Sequence, residues 1–176
     1  MEDERRDSDG LGIQPGALRI YDGAISEEFC NELIEIYNLN TDKESSEYNY
    51  TEYHKDEEVH ERLLSHIGQL YKHYLEDLGT TNMIKVSGFE EIKIKNLTET
   101  ELHVDANDHK SSIRAVSFLF FLDDNSGNTD FPLQKMGVHS RKGRVIIHPT
   151  SWEYPKKQHK SEETEAFTLE TFLHFS

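Results

Sequence analysis

His103 and Asp105, one residue apart in Leu102-His103-Val104-Asp105, carry the most chemically suggestive spacing in the chain. Side chains on an extended segment alternate with a period of two, so both would project to one side and meet at one point. An imidazole and a carboxylate so placed can share a divalent metal, and His159, farther along, could complete a two-histidine, one-carboxylate set. That set suits Fe(II), since it occupies one face of the ion and leaves positions open for oxygen and a co-substrate. The tripeptide alone is a weak signal that a solvated loop satisfies equally well, so the surrounding elements must decide.

The 176 residues suit one domain with a sizeable core. Residues 1–15, charged and without an apolar period, are expected to form a flexible acidic tail, and residues 16–176 a single folded unit. With 34 acidic against 19 basic residues the formal charge is −15, which repels nucleic-acid backbones and anionic lipid and favours basic or neutral partners. Cys30 is alone, so no internal disulfide forms, and no apolar run approaches the ~20 residues of a membrane span. A soluble, cytoplasmic protein is expected.

Two helices precede a run of strands. Ser26 can cap a helix with Phe29, Cys30, Leu33, Ile34 and Tyr37 on one stripe, and a longer helix runs from about Asp56 to Leu78, stopped by Gly79. The polar stretch from about Asn38 to Asp56 reads as a loop whose Tyr48, Tyr50 and Tyr53 could contact a partner. His54, His60, His66 and His73 lie on or beside the long helix without an acidic partner to complete a metal set. Beyond Met83 the period becomes two, with strands at 91–95, 113–122, 145–147 and 167–175 separated by turns at 123–127 and 141–143. This order indicates an α+β domain built on an antiparallel sandwich or barrel, with His103 and Asp105 at its mouth.

From Leu102 onward the chain resembles the Fe(II)/2-oxoglutarate-dependent dioxygenases, and among them the prolyl 4-hydroxylase-like group. The resemblance lies in His103-x-Asp105, then Arg114 opening a strand that ends Phe120-Phe121-Leu122-Asp123. Gly127-Asn128-Thr129-Asp130-Phe131-Pro132, Val138, Lys142-Gly143 and a strand ending at Pro149 follow in order. It implies a double-stranded β-helix (jelly-roll) fold, Fe(II) held by His103, Asp105 and His159, and 2-oxoglutarate and O2 as co-substrates. The implied reaction hydroxylates an unactivated C–H bond, with a prolyl peptide or other protein or amino-acid substrate as the default. His109, His139, His148 and His174 are rivals for the third ligand, His148 the strongest.

One departure matters. Ala166 stands where the family places the cation that holds the far carboxylate of 2-oxoglutarate, and a charge-assisted bond to such a carboxylate contributes about 1.5–3 kcal/mol. Lys93 and Lys95, on one face of a strand, are the candidate substitutes, and alternation from Arg114 could turn Ser117, Leu119 and Phe121 towards the same site. The missing cation motivates an alternative: a fold of the same kind that binds a metal or a partner without using 2-oxoglutarate in the usual way.

Overall fold

The computed structural model describes residues 16–42, 45–54, 57–80, 85–124, 127–160 and 164–176, together with the backbone of 6–7. Helix α1 (Glu27–Asn40) begins where the Ser26 hydroxyl accepts the Phe29 amide at 3.1 Å, and it buries Phe29, Cys30, Leu33 and Tyr37. A short helix α2 (Tyr50–His54) precedes the long α3 (Glu58–Leu78), which buries Leu63, Ile67, Tyr74 and Leu75 along one face. Gly79, in the left-handed region at φ 65°, ends α3 while the amides of Gly79 and Thr80 satisfy the carbonyls of Glu76 and Leu75. None of the described helices is long and apolar enough to cross a membrane.

Eleven strands fill the remainder of the described chain: β1 (Arg6–Asp7), β2 (Arg19–Tyr21), β3 (Glu47–Asn49), β4 (Val86–Phe89), β5 (Lys93–Asn96), β6 (Arg114–Phe121), β7 (Asn128–Phe131), β8 (Met136–His139), β9 (Val145–Pro149), β10 (Lys157–Gln158) and β11 (Phe167–Phe175). The larger sheet runs β2-β9-β6-β11-β5-β3, with β4 on the far half of β11, and the smaller runs β1-β8-β7-β10. Every pairing is antiparallel except β1 with β8. Leu119, Phe121 and Ile146 of the larger sheet meet Phe131 and Val138 of the smaller in one core cluster. Val116, Phe118, Phe120, Ile147 and Leu169, on the opposite face, share a second core with α1 and α3. Alternation along the strands thus gives one face to the helices and the other to the interior between the sheets.

Gly143 makes the turn into β9. Its φ of 79° favours glycine, and a Cβ there would run into the Ile25 carbonyl, so the turn and the chain entering α1 are locked together.

Several expectations are corrected. The stretch from Asn38 to Asp56 is not a plain loop: β3 pairs with β5 and α2 follows, burying Tyr48 and Tyr50 and leaving only Tyr53 of the three exposed. Each element there is too short to show a period. Segments β7 and β8, to which no strand was assigned from sequence, form a hairpin of the smaller sheet. The architecture is, as expected, mainly antiparallel: two sheets with flanking helices, in which β1 with β8 is the parallel pair among the described residues. The expected tail at 1–15 lies outside the described residues apart from the backbone of β1, which pairs with Met136 and Gly137.

Candidate functional site

The ladder of the larger sheet sets the site. Its register aligns Lys95 with Thr168 and Lys93 with Glu170 across β5 and β11, and Phe172 with Ser117 and then His148 across β11, β6 and β9. Directly paired residues share a face, and this is the face on which Leu119 and Ile146 enter the inter-sheet core. Glu170, the one acidic residue of β11, therefore sits in the middle of the strand and points inward.

Against this face lies the segment carrying His103 and Asp105. His103 forms an isolated antiparallel bridge with Lys156, exchanging backbone hydrogen bonds of 3.0 and 2.8 Å. Lys156 thus occupies the position opposite His103, and its side chain, fully buried, runs into the interior. There its ammonium donates to Asp105 Oδ2 at 2.8 Å and to Glu170 Oε1 at 3.1 Å. Lys95 donates to the other Glu170 oxygen at 2.6 Å, while Lys93 pairs with Glu47 at 2.6 Å near the rim. Arg114 closes the other side, with a two-pronged bond to Glu90, one bond to the Asp105 carbonyl, and its guanidinium 4.0 Å over the Phe172 ring. The cleft lined by Glu90, Lys93, Lys95, Asp105, Arg114, Glu170 and Phe172, with Glu91, His103, Val104 and Asn107, has a volume of about 190 Å³, and Lys156 lies buried behind it.

The electrostatics follow from burial and pairing. Burial works against the charge on Lys156, but Asp105 and Glu170 outweigh it and raise the ammonium's pKa above its ordinary value. Burial likewise opposes the Glu170 carboxylate, and Lys156 and Lys95 overcome it, holding its pKa far below the usual range. His148 goes the other way: burial first and then the Lys156 charge lower its pKa to about 4, so the imidazole is neutral. With Nδ1 bonded to the Pro149 carbonyl at 2.6 Å, its Nε2 keeps a lone pair that has no hydrogen-bond partner and stands 3.6 Å from Asp105 Oδ2. His103 is similar in form, with Nδ1 on the Glu101 carbonyl at 2.9 Å and Nε2 at 3.7 Å from Asp105 Oδ1.

Of the residues proposed from sequence, His103, Asp105, Lys93 and Lys95 line one cleft. His159 is placed apart from them: its Nε2 lies 3.0 Å from Asp130, its Nδ1 3.9 Å from Glu99, and its side chain is more than a third exposed. Ser117 is buried beside His148 in the ladder, and Phe121 packs in the inter-sheet core against Phe131 rather than along the cleft. Lys156 and Glu170 escaped the sequence reading. Glu170 could have been found, because inward alternation in Phe167-Thr168-Leu169-Glu170-Thr171-Phe172 places it opposite the helix-facing Leu169.

These residues do not fit an Fe(II)/2-oxoglutarate pair. The place across from His103 holds an ammonium, and that ammonium occupies Asp105 Oδ2 and would set a second positive charge beside any metal shared by His103 and Asp105. Among the described residues no three His, Cys, Asp or Glu side chains are placed to hold a metal ion. Ala166 is buried and offers no cation to a far carboxylate, and Lys95 and Lys93 are engaged by Glu170 and Glu47.

No family model and no curated protein matches the sequence. Solved structures do match. The viral collagen prolyl hydroxylase from Paramecium bursaria Chlorella virus-1, in its 2-oxoglutarate complex, superposes with a TM-score of 0.72 over 94% of this chain and 100% of that one, at 17% identity. A Pseudomonas putida prolyl-4-hydroxylase gives 0.69 over 92% and 94% of the two chains at 13% identity. A Trichoplax adhaerens prolyl hydroxylase bound to a hypoxia-inducible-factor peptide fragment gives 0.65 over 92% and 84% at 11%. The fold of this chain is therefore that of the prolyl 4-hydroxylases, the Fe(II)/2-oxoglutarate oxygenases its sequence resembles.

Proposed function

We propose that this chain is a double-stranded β-helix that binds a partner or small polar ligand at its cleft without iron- and 2-oxoglutarate-dependent turnover. The observation that carries this reading is the buried ammonium of Lys156 on Asp105, opposite His103. The cleft volume of about 190 Å³ suits a small polar group or one side chain of a larger partner, and the −15 charge favours basic or neutral ones. A hydroxylase reading keeps one observation in its favour: His103, Asp105 and the neutral His148 lie close together. It requires Lys156 to leave Asp105.

Purified protein incubated anaerobically with Fe(II) and 2-oxoglutarate is expected to give no visible charge-transfer band and, once oxygen is admitted, no succinate above the protein-free rate. Succinate formation that disappears in His103→Ala would establish the hydroxylase instead.

A further inference from the structure

We propose that the groove between α1 and the start of α3 is a docking site for a basic amphipathic helix of a partner protein, which lays apolar side chains on the groove floor and lysine or arginine side chains along its walls. The groove lies on the helical side of the molecule, apart from the cleft, and the proposal does not depend on what the cleft binds.

The groove has a volume of about 450 Å³ and an apolar floor. Ile36 and Val59 are only partly covered there, and Leu39, in the last turn of α1, is 76% exposed. A single exposed leucine is ordinary, but three apolar side chains on one concave surface leave a strip that a partner can cover. The walls are acidic, with Glu32 and Glu35 on α1 and Glu57 and Glu58 at the start of α3. Both cations of the groove are already engaged: Arg62 by Glu32 and by the Phe29 ring 4.1 Å below its guanidinium, His54 by Glu57 at 2.9 Å. Glu35 and Glu58 have no ion pair among the described residues, so the groove keeps an uncompensated negative field.

A buried group beside the groove also lacks a partner. Tyr50 is fully buried and stacks on His54 at 5.0 Å, and its hydroxyl has no hydrogen-bond partner among the described residues. The charges that act on that hydroxyl belong to Glu57, Glu32 and Arg62, three of the groove's own residues. A long cationic side chain entering past His54 would supply the donor it lacks.

Charge selects the occupant. A second copy would bring a surface of net charge −15 against these carboxylates, and nucleic acid or anionic lipid would be repelled in the same way. A helix fits the shape, because an amphipathic helix seats its apolar stripe in a groove between helices while its long basic side chains reach the rims.

Fluorescence anisotropy of a labelled helical peptide of lysine and leucine, its leucines on one stripe, titrated with the full chain, tests this. Saturable one-to-one binding is expected, weakening as salt is raised. Leu39→Ser should weaken it by about tenfold, and Glu35→Lys combined with Glu58→Lys by about tenfold or more. Tyr50→Phe, which keeps the buried ring, should weaken it severalfold. Glu99→Lys combined with Glu153→Lys changes the net charge equally beside the smaller sheet and should leave the affinity within about twofold. The proposal is overturned if the two charge-reversed pairs weaken binding alike, since the attraction would then belong to the whole surface. It is also overturned if Leu39→Ser binds like the wild type, or if a lysine and serine peptide of the same charge binds as tightly. A dimer in sedimentation that Leu39→Ser dissolves would overturn it too, by making a second copy the occupant.

Discussion

Lys156→Met is expected to lower unfolding stability by about 3–5 kcal/mol in the absence of metal, which for a chain of this size is a fall in Tm of roughly 10 °C or more. The magnitude comes from what remains. Asp105 is almost fully buried and Glu170 nearly so, and both place an oxygen on the Lys156 ammonium. Glu170 retains Lys95 at 2.6 Å, so the larger part of the loss falls on Asp105. Neutralising the carboxylates in the same background, with Asp105→Asn and Glu170→Gln, should recover much of the deficit, because it is the uncompensated buried charge that destabilises. Urea denaturation of the four proteins checks this. A Lys156→Met variant within about 1 kcal/mol of wild type, the scale of a surface pair, would mean the ammonium is not held as described.

Stability is also expected to fall as the solution is acidified from about pH 6.5 to pH 4, by about 3 kcal/mol from His148 alone. An unfolded histidine takes up its proton near pH 6.5, whereas burial and the Lys156 charge keep the folded imidazole neutral down to about 4. Between those values the unfolded state binds more protons, so stability declines as pH falls; a window of about 2.5 units at 1.36 kcal/mol per unit gives the magnitude. Glu170 adds to this at lower pH. Its folded pKa is depressed, so its contribution is complete above the ordinary carboxylate range near pH 4.3 and is lost on further acidification. Lys156 acts at the opposite end: its raised folded pKa means that its contribution is intact at neutral pH and is lost only in strong alkali. Urea midpoints at pH 7 and pH 5 should differ in the wild type and much less in His148→Leu. An equal pH dependence in both would remove His148 as the cause.

Where the chemistry was local, the sequence was readable. The Ser26 cap, the Gly79 stop and the strand at 167–175 follow from short-range rules and stand as expected. The inward face of β6 was likewise legible from alternation: Ser117, Leu119 and Phe121 do point between the sheets. What could not be read was which residue crosses from the second sheet to meet Asp105. His159 and Lys156 are three positions apart in a segment with no period, and only the bridge to His103 selects Lys156 for the interior and leaves His159 against Asp130. The absence of a cation at Ala166 was visible in sequence. That a carboxylate, Glu170, stands four residues on and faces inward needed the register of β11 against both neighbours.

The most direct test of an ammonium in place of the metal is the iron content of the wild-type chain after anaerobic dialysis against excess Fe(II) and gel filtration. The expected result is no stoichiometric iron in the wild type, the same as in His103→Ala. One iron per wild-type chain, lost in His103→Ala, would contradict it and return His103 and Asp105 to the role of metal ligands.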